Sequence, residues 1–290
     1  MNRLACLLPV PSQRLADLYR TAFVTGASAG LGRAFTEMLL AEGVRVWGTA
    51  RDTGRLAEMA STHPAQFTPV VLDLADTTAA VGAFQRAQQS AGGAFDLVIN
   101  NAGYGVFGRF ETTEFAVWEA QVRAMLGASM QLAHVALAAM RQANRGCLVN
   151  VASLAVEFPL PFMSGYNVAK AGLAAFSESL VIETKGSGIT VIDLRPGDFR
   201  TDFNQSMQTA SASSAPREPM LDRSWTALDA NLRAAPPPAA AAAGLRRALL
   251  RRRSGTVRLG SFFQARLAPL GAAWLPAGLR RALACRYFGI

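Results

Sequence analysis

The sequence predicts an α/β fold: a doubly wound, seven-stranded parallel sheet with helices on both faces and a C-terminal helical extension. Short β-rich runs alternate with longer helical patterns from about residue 22 onward, which is typical of right-handed βαβ crossovers. Runs such as Asp96–Ile99 and Cys147–Val151 lack polar/apolar alternation, as expected for strands buried on both faces. The length of 290 residues and the 51% hydrophobic content suffice for one large domain.

Each predicted strand is a short run of strand-forming residues between turn signals. The strands are Ala22–Thr25, Val44–Thr49, Phe67–Leu72, Phe95–Asn100, Gly146–Ala152, Gly188–Leu194 and Thr256–Leu259. Three prolines at 236–238 followed by five alanines predict a proline-initiated helix. A last helix is predicted over Leu275–Arg286. Residues 204–235 are partly rich in Ser, Ala and Thr and weakly periodic, which indicates a mobile insertion.

Cysteine and histidine usage excludes several classes of site. The three cysteines, Cys6, Cys147 and Cys285, are odd in number and show no C-x-x-C spacing, so neither a disulfide framework nor a thiolate metal site is indicated. His63 and His134 lie too far apart for metal-ligand spacing, and we predict no metal. No run reaches the roughly 18 consecutive apolar residues of a membrane span. We therefore expect a cytoplasmic protein, at most associated with a membrane surface.

The net charge of +9 is unevenly distributed along the chain. Residues 1–229 carry 18 Lys/Arg against 20 Asp/Glu, whereas residues 230–290 carry 11 Arg and no acidic residue. The basicity therefore belongs to a C-terminal tail and not to the whole protein.

A glycine-rich turn, Thr25-Gly26-Ala27-Ser28-Ala29-Gly30-Leu31-Gly32, follows the first strand and opens a helix. Glycines there permit a tight turn and close approach of the backbone, so that a pyrophosphate can sit at the positive helix N-terminus. A glycine-rich turn alone is weak evidence, but its position between strand and helix favours nucleotide binding.

Four further motifs follow in order along the chain. They are Asn100-Asn101-Ala102-Gly103, then Ser153, then Tyr166-x-x-x-Lys170, then Pro196-Gly197-x-x-x-Thr201. Together with the spacing T-G-x-x-x-G-x-G, this ordered set resembles the short-chain dehydrogenase/reductase family over roughly residues 20–202. With four tyrosines and two lysines in the chain, a chance Tyr-x-x-x-Lys is expected in only about three chains in a hundred.

The resemblance implies an NAD(P)-dependent enzyme of the Rossmann type that acts on CH–OH groups. Tyr166 would be the general acid or base, Lys170 would lower the pKa of Tyr166 and hold the ribose, and Ser153 would hydrogen-bond the substrate oxygen. The expected cofactor-binding residues are Thr25, Gly26, Ser28, Gly30, Leu31, Gly32, Arg51, Asp73, Leu74, Asn101, Ala102, Gly103, Tyr166, Lys170, Pro196, Gly197 and Thr201. Without the motifs, Ser153 would be read as a strand-end cap and Tyr166 as a helix-surface residue.

The resemblance also sets the expected organisation. Residues 1–20 form an N-terminal extension, residues 21–260 a Rossmann-like catalytic domain with the insertion at 204–235 on its substrate side, and residues 261–290 a basic helical extension. A homo-oligomer, dimer or tetramer, is expected as well.

One family residue is missing. Where the family usually places Asn in the helix after the Asn-Asn-Ala-Gly strand, this sequence has Met125. A thioether cannot replace the amide in a proton relay to Lys170, although the Met125 carbonyl can still hold a water. A non-catalytic NADP(H)-binding sensor or scaffold is therefore the alternative function.

The cofactor preference depends on the end of the second strand. An NAD site places a carboxylate there, whereas this chain has Thr49-Ala50 followed by Arg51, whose guanidinium suits a 2′-phosphate. NADP(H) is therefore favoured over NAD(H). NAD(H) is the alternative, because the nearby Asp52 has the carboxylate that an NAD site uses. Asp73 resembles the family position that binds the adenine amine, the alternative being a helix N-cap.

Substrate preference is expected to lie in two segments that border the active site. Residues 154–164 contain Phe158, Pro159, Leu160, Pro161, Phe162 and Met163, and the second segment contains Phe203 and Met207. This apolar inventory favours a lipophilic ketone or alcohol, unless these residues only pack against their neighbours.

The basic tail has three interpretations. The arginines at 246–253 can be a solvated helix face, or residues 275–290 can form a basic amphipathic helix on an anionic membrane. Nucleic acid is the least favoured partner, because no reader motif or interleaved aromatics accompany the arginines.

Overall fold

The computed structural model describes residues 13–203, 207–209, 218–267, 269, 271 and 274–290. Its main sheet has seven parallel strands, which confirms the predicted architecture. The strands are β1 (Thr21–Val24), β2 (Arg45–Ala50), β3 (Phe67–Val71), β4 (Leu97–Asn100), β6 (Gly146–Val151), β7 (Ile189–Pro196) and β9 (Gly255–Leu259). Their order across the sheet is β3-β2-β1-β4-β6-β7-β9. Two further short strands, β5 (Val106–Phe107) and β8 (Gln208–Thr209), pair with each other and were not predicted.

The helices occupy both faces of the sheet. They are α1 (Gly30–Ala41), α2 (Ala57–Thr62), α3 (Thr77–Ser90), α4 (Phe115–Val122), α5 (Ala128–Ala143), α6 (Ser164–Glu183), α7 (Pro219–Ala234), α8 (Pro238–Arg251) and α9 (Ala277–Tyr287). Pro238 is the first residue of α8, and α9 lies within two residues of the predicted last helix. A π-helical turn, Arg123–Gly127, joins α4 to α5.

Apolar side chains fill the space on each face of the sheet. One cluster includes Phe35, Leu39 and Leu245, which pack α1 and α8 against the strands. A second, around Phe23 and Phe84, packs α3 and α5 against the opposite face. Because both faces are covered, the central strands carry apolar residues at successive positions, and this explains the missing polar/apolar alternation.

One predicted feature differs from the structure. Residues 204–235 were predicted to be a mobile insertion with weak periodicity, yet Pro219–Ala234 is the 16-residue helix α7. Leu221, Trp225, Leu228 and Leu232 of this helix pack in one apolar cluster, and their spacing of three to four residues is that of an amphipathic helix. The helical period was therefore present in the sequence. Residues 204–206 and 210–217, the Ser/Ala/Thr-rich part of the insertion, lie outside the described residues.

The continuous helical stretch Phe115–Ala143 is long and apolar enough to cross a membrane by length and composition alone. The stretch contains no long run of consecutive apolar residues, because Glu119 and Arg123 interrupt it. It contributes Trp118, Met125 and Leu132 to the buried interior, as core helices that pass the same test do. It is therefore weak evidence for a membrane span.

All seven strands of the main sheet run in parallel, so their carboxyl ends meet at one edge. The chain order reverses at β1, which pairs with β2 on one side and β4 on the other. A crevice at such a reversal is the usual ligand site of an open α/β sheet.

Candidate active site

A cavity of about 1460 Å³ opens at the carboxyl edge of the sheet. Every residue that the sequence predicted for the site lines it, except Thr25 and Gly32. The lining residues among those predicted are Gly26, Ser28, Gly30, Leu31, Arg51, Asp73, Leu74, Asn101, Ala102, Gly103, Ser153, Tyr166, Lys170, Pro196, Gly197 and Thr201. Segments far apart in the sequence are thus brought together around one space.

The first turn of α1 borders this cavity with free backbone N–H groups. The residue before the helix is Ala29, whose side chain has no polar atom to cap them. Gly26 (φ +71°) and Gly30 (φ +53°) adopt left-handed backbone conformations that strain other residues. Free N–H groups and the helix dipole together bind anions, so this turn fits the pyrophosphate of a dinucleotide.

Gly32 acts by close packing. A Cβ at this position would lie 2.1 Å from the Gly26 carbonyl oxygen and 2.5 Å from Nδ2 of Asn101. Only glycine permits the helix to approach the turn so closely, which keeps the first turn of α1 beside the cavity.

Thr25 does not line the cavity but holds the loop after β4 through hydrogen bonds. Its hydroxyl accepts hydrogen bonds from the N–H groups of Asn101 (2.8 Å) and Ala102 (2.9 Å), while the Asn101 side chain donates to the Thr25 carbonyl at 2.9 Å. Thr25 therefore sets the position of the loop after β4, one of the walls of the site.

Ser153 follows β6 and is nearly buried. Its hydroxyl accepts from the Ala155 N–H at 3.1 Å and caps a short 3₁₀ turn, Leu154–Val156. The same hydroxyl hydrogen-bonds to the Tyr166 side chain, which opposes the effect of burial on the pKa of Tyr166. Ser153 is thus both the cap expected without the motifs and a partner of Tyr166.

Tyr166 and Lys170 lie one turn apart on α6. The Lys170 ammonium lies 5.7 Å from the centre of the Tyr166 ring and donates to the Val151 carbonyl at 2.6 Å. Burial lowers the pKa of Lys170 to about 8. Burial also raises the pKa of Tyr166, and the nearby Asp198 carboxylate acts in the same direction. The lowered Tyr166 pKa expected from the pairing with Lys170 is therefore outweighed by desolvation.

Met125 sits in the π-helical turn beside Lys170. Its side chain is 2% exposed, and a Cβ built on Gly103 would lie 3.0 Å from its Cε and 3.8 Å from Nζ of Lys170. The Met125 carbonyl accepts a hydrogen bond from the Ser129 hydroxyl at 2.8 Å. The thioether thus adds to the apolar surroundings of Lys170, and the carbonyl that could hold a water already has one donor.

Two arginines line the cavity near the end of β2. Arg51 was predicted there, and Arg55, one turn later, was not. The Asp52 carboxylate accepts from the Gly54 N–H at 2.8 Å, which holds it in its own turn. Asp73 accepts from the Ala75 N–H, and the cap of α3 is Asp76 instead, so the N-cap alternative for Asp73 is wrong.

The segment after β9 closes the other end of the cavity. Asp198 accepts hydrogen bonds from the Gln264 side chain (2.6 Å) and the Tyr287 hydroxyl (2.9 Å), and all three residues line the cavity. No sequence motif pointed to these three residues. Their positions depend on a contact across 89 residues of chain.

Comparison with known proteins agrees with this geometry. Residues 20–212 match the family model described as short chain dehydrogenase. An oxidoreductase of Botryotinia fuckeliana, BOA17, is 34% identical over 193 residues, which is 66% of this chain and 70% of the relative. A 3-ketodihydrosphingosine reductase of Bacteroides thetaiotaomicron is 29% identical over 185 residues, 63% of this chain and 65% of the relative.

Solved structures extend the likeness to about nine tenths of the chain. The crystal structure of a short-chain dehydrogenase from Streptomyces avermitilis has a TM-score of 0.79 at 27% identity, covering 91% of this chain and 94% of that one. A metagenomic short-chain oxidoreductase in complex with NADP has a TM-score of 0.59 at 31% identity, covering 62% and 83%. The chain belongs to the short-chain dehydrogenase family. It is therefore an NAD(P)-dependent oxidoreductase of alcohol and carbonyl groups.

In this short-chain dehydrogenase, part of the cavity wall is apolar. Phe158, Leu160, Met163 and Phe203 line the cavity as predicted, whereas Met207 packs in the apolar cluster beneath it. Pro159, Pro161 and Phe162 are not among the lining residues. Within the described ranges, no group of three or more His, Cys, Asp or Glu residues is placed to hold a metal ion.

Proposed function

We propose that this short-chain dehydrogenase interconverts a lipophilic ketone and its secondary alcohol with NADP(H) as cofactor. The observation that carries the proposal is the convergence of Ser153, Tyr166 and Lys170 on one cavity that also borders the uncapped N-terminus of α1. A proton-transfer group, a cation and an anion-binding turn thus face the same space.

The bound nicotinamide would supply or accept the hydride. Tyr166 would donate its phenolic proton to the carbonyl oxygen during reduction and take it back during oxidation. The Ser153 hydroxyl would donate a hydrogen bond to the same oxygen as negative charge develops there. Lys170 would hold the ribose hydroxyls and stabilise the phenolate form of Tyr166, which burial disfavours.

Replacing the phenol tests this assignment. We expect Tyr166→Phe to reduce the rate of hydride transfer by about two to four orders of magnitude while NADPH binding, followed by nicotinamide fluorescence, is retained. Undiminished turnover in the variant would rule out Tyr166 as the proton donor.

The preference for NADP(H) is supported by Arg51 and Arg55, which line the cavity where the adenosine ribose would lie. The only carboxylate in that turn, Asp52, is held by Gly54. We expect the double variant Arg51→Ala/Arg55→Ala to weaken NADPH binding by about tenfold or more and to leave NADH binding nearly unchanged. Arg45→Ala, at the opposite end of β2, is the matched control. An equal loss for both cofactors would contradict the proposed preference.

A non-catalytic NADP(H)-binding sensor is the second candidate, and the observation that favours it is Met125 beside Lys170. The two candidates predict different results when a range of ketones is screened with NADPH. Turnover of any ketone by the wild type, abolished in Tyr166→Phe, supports the enzyme. Tight NADPH binding without turnover in both the wild type and Met125→Asn supports the sensor.

We also propose that the protein forms a homo-oligomer through the outer faces of α5 and α6. Met130, Val168 and Ile182 are large apolar side chains exposed on these two helices, and water-exposed apolar faces favour association. Light scattering after size exclusion should give a mass above that of one chain. Val168→Glu/Ile182→Glu should lower that mass, whereas a monomeric wild type would contradict this proposal.

A further inference from the structure

The positive charge of the C-terminal tail lies in two separate places. Arg251–Arg253 precede β9 and therefore lie at the amino edge of the sheet, away from the cavity. Arg266, Arg281 and the other late arginines follow β9 and lie on the segment that closes the cavity. The two clusters are therefore separated by the length of a strand, and only the second borders the site.

The second cluster is not neutralised by the protein. Arg246 pairs with Glu42 and Arg258 with Glu157, but among the described residues no arginine after Arg258 forms an ion pair. No acidic residue occurs after Asp229 in the sequence. The segment therefore presents uncompensated guanidinium groups, which bind anions well.

The same segment carries large apolar side chains in contact with water. Trp274 is 86% exposed and Phe262 is 73% exposed, and Leu279 and Leu283 are about half exposed. Leu279 and Leu283 are one turn apart on α9, so they form a stripe on one side of the helix. Arg280, Ala284 and Tyr287, which line the cavity, form the adjacent stripe. Because Leu283 also lines the cavity, the apolar stripe of α9 reaches the cavity wall.

Large apolar side chains form part of the mouth of the cavity, beside Arg286. Phe263, Leu267, Leu283 and Tyr287 line the cavity and yet are roughly half exposed or more, so they form its rim. A water-soluble substrate gains little from such a rim, whereas a lipid-soluble one can pass along it without losing its apolar surroundings.

We propose that the C-terminal surface, formed by Phe262, Arg266, Trp274, Leu279 and Leu283, docks on an anionic lipid bilayer, with the charge of Arg281 on the other side of α9 adding to the attraction. Tryptophan, phenylalanine and leucine enter the interface of a membrane, and arginines bind the phosphate and carboxylate groups of its lipids. Nucleic acid would use the arginines but would leave the apolar side chains in water. Charge and apolar surface together thus fit a bilayer.

Docking in this orientation turns the mouth of the cavity toward the lipid. If the protein reduces a lipophilic ketone, which is the proposed function on which this step rests, the substrate reaches Tyr166 directly from the membrane. The docking itself depends only on the surface, so it is testable without any substrate.

Co-sedimentation with vesicles tests the docking. We expect the full chain to bind mixed phosphatidylcholine/phosphatidylserine vesicles and to bind pure phosphatidylcholine vesicles much more weakly. Arg266→Glu/Arg281→Glu should weaken binding to the anionic vesicles by about thirtyfold or more, since each arginine near such a surface contributes about a factor of five. Trp274→Ser should weaken it as well. Neither arginine nor Trp274 lines the cavity, so NADPH binding should be unchanged and shows that the variants fold.

The matched control is Arg251→Glu/Arg253→Glu, which makes the same charge change in the cluster at the amino edge of the sheet. It should leave vesicle binding within about twofold of the wild type. Equal losses in both double variants, absence of wild-type binding, or binding to RNA in place of vesicles would overturn the proposal. Activity on a water-soluble ketone without vesicles would still report on the proposed function alone.

Discussion

Burial of the charged side chain of Lys170 costs free energy that its surroundings do not fully offset. The side chain is 6% exposed, contacts the Val151 carbonyl, and has its pKa lowered to about 8 by burial. Asp193 opposes this effect from a distance. A buried lysine of this kind lowers the stability of the fold at neutral pH, and the protein retains it in a site that requires a cation.

The sign of this effect gives the first prediction. Between about pH 8 and pH 10.5 the unfolded chain binds more protons at this lysine than the folded chain does, so stability rises with pH through that window. Relative to Lys170→Met, the wild type should therefore gain about 3 kcal/mol of unfolding free energy from pH 7 to pH 10.5. Urea unfolding of both proteins at the two pH values measures this, and a constant difference would show that Lys170 is not desolvated.

Thr25 gives the second prediction. Its hydroxyl accepts two N–H groups, those of Asn101 and Ala102. Thr25→Val removes the acceptor and keeps the shape, so we expect a loss of about 2 kcal/mol in unfolding free energy and weaker NADPH binding. Thr25→Ser keeps the hydroxyl and should cost less than half as much. Equal losses in the two variants would mean that the methyl group and not the hydroxyl is what matters.

At this scale the sequence predicted the residues that belong to motifs. Ser153, Tyr166 and Lys170 stand at recognisable spacings, and the structure brings all three to one cavity. Asp198, Gln264 and Tyr287 carry no such spacing, because their contacts join segments far apart in the chain. Similarly, the higher pKa of Tyr166 reflects burial, which depends on packing that the motif does not describe.

At the scale of the elements, two glycines in helices differ in how closely the rest of the protein packs against them. Gly32 in α1 has the Gly26 carbonyl 2.1 Å from the site of a Cβ, whereas Gly127 at the end of the π-helical turn has nothing within 4 Å apart from its own helix. The sequence alone cannot separate them, since both glycines lie inside helical stretches.

The third prediction follows from that contrast. Gly32→Ala should push α1 away from the turn, destabilise the protein by about 2 kcal/mol or more and abolish NADPH binding. Gly127→Ala should instead stabilise it by about 0.5–1 kcal/mol, because alanine loses less backbone entropy in a helix. Thermal unfolding and NADPH titration of both variants check this. Destabilisation by Gly127→Ala would show that the π-helical turn depends on glycine.

The elements themselves were largely predictable, and the exceptions have physical reasons. All seven strands of the main sheet were predicted within two residues at each end. The central strands are buried apolar runs, whereas β3 and β9 are more exposed and were indicated by strand-forming residues between turn signals. β5 and β8 are two residues long, which is too short to show the polar/apolar alternation of a strand. Helix α7 has an apolar stripe of Leu221, Trp225, Leu228 and Leu232, so its helical period is present in the sequence, next to a Ser/Ala/Thr-rich run that favours a loop.

At the scale of the whole molecule, the net charge resolves into parts with different positions. A slightly acidic body carries one arginine cluster at the amino edge of its sheet and another beside the cavity. Arg246 and Arg258 are not free charges, since each pairs with a glutamate of the body. Composition alone yields only the total charge of the tail, whereas the sheet topology shows that its two arginine clusters lie at different ends of the molecule.

The C-terminal segment is fastened to the body through Asp198. Tyr287 and Gln264 both donate to its carboxylate, Phe288 is buried against the substrate-side cluster, and Arg223 donates to the Gly289 carbonyl at 3.0 Å. Burial and the Asp198 charge raise the pKa of Tyr287, so its hydroxyl remains a donor. The substrate end of the cavity is therefore closed by contacts that a single hydroxyl helps to hold.

Tyr287→Phe should loosen this closure without unfolding the protein. Loss of one such hydrogen bond costs about 1 kcal/mol, so amide exchange in residues 277–290 should speed up about fivefold and KM for the ketone should rise, with kcat little changed. Tyr19→Phe is the matched control, since its hydroxyl donates to the Leu249 carbonyl at 3.1 Å near the amino edge of the sheet. It should lower overall stability by a similar amount and leave both readouts at the C-terminus unchanged. A fall in kcat with unchanged exchange would mean that the Tyr287 hydroxyl acts on the substrate itself, because closure alone changes access to the cavity and not the chemistry within it.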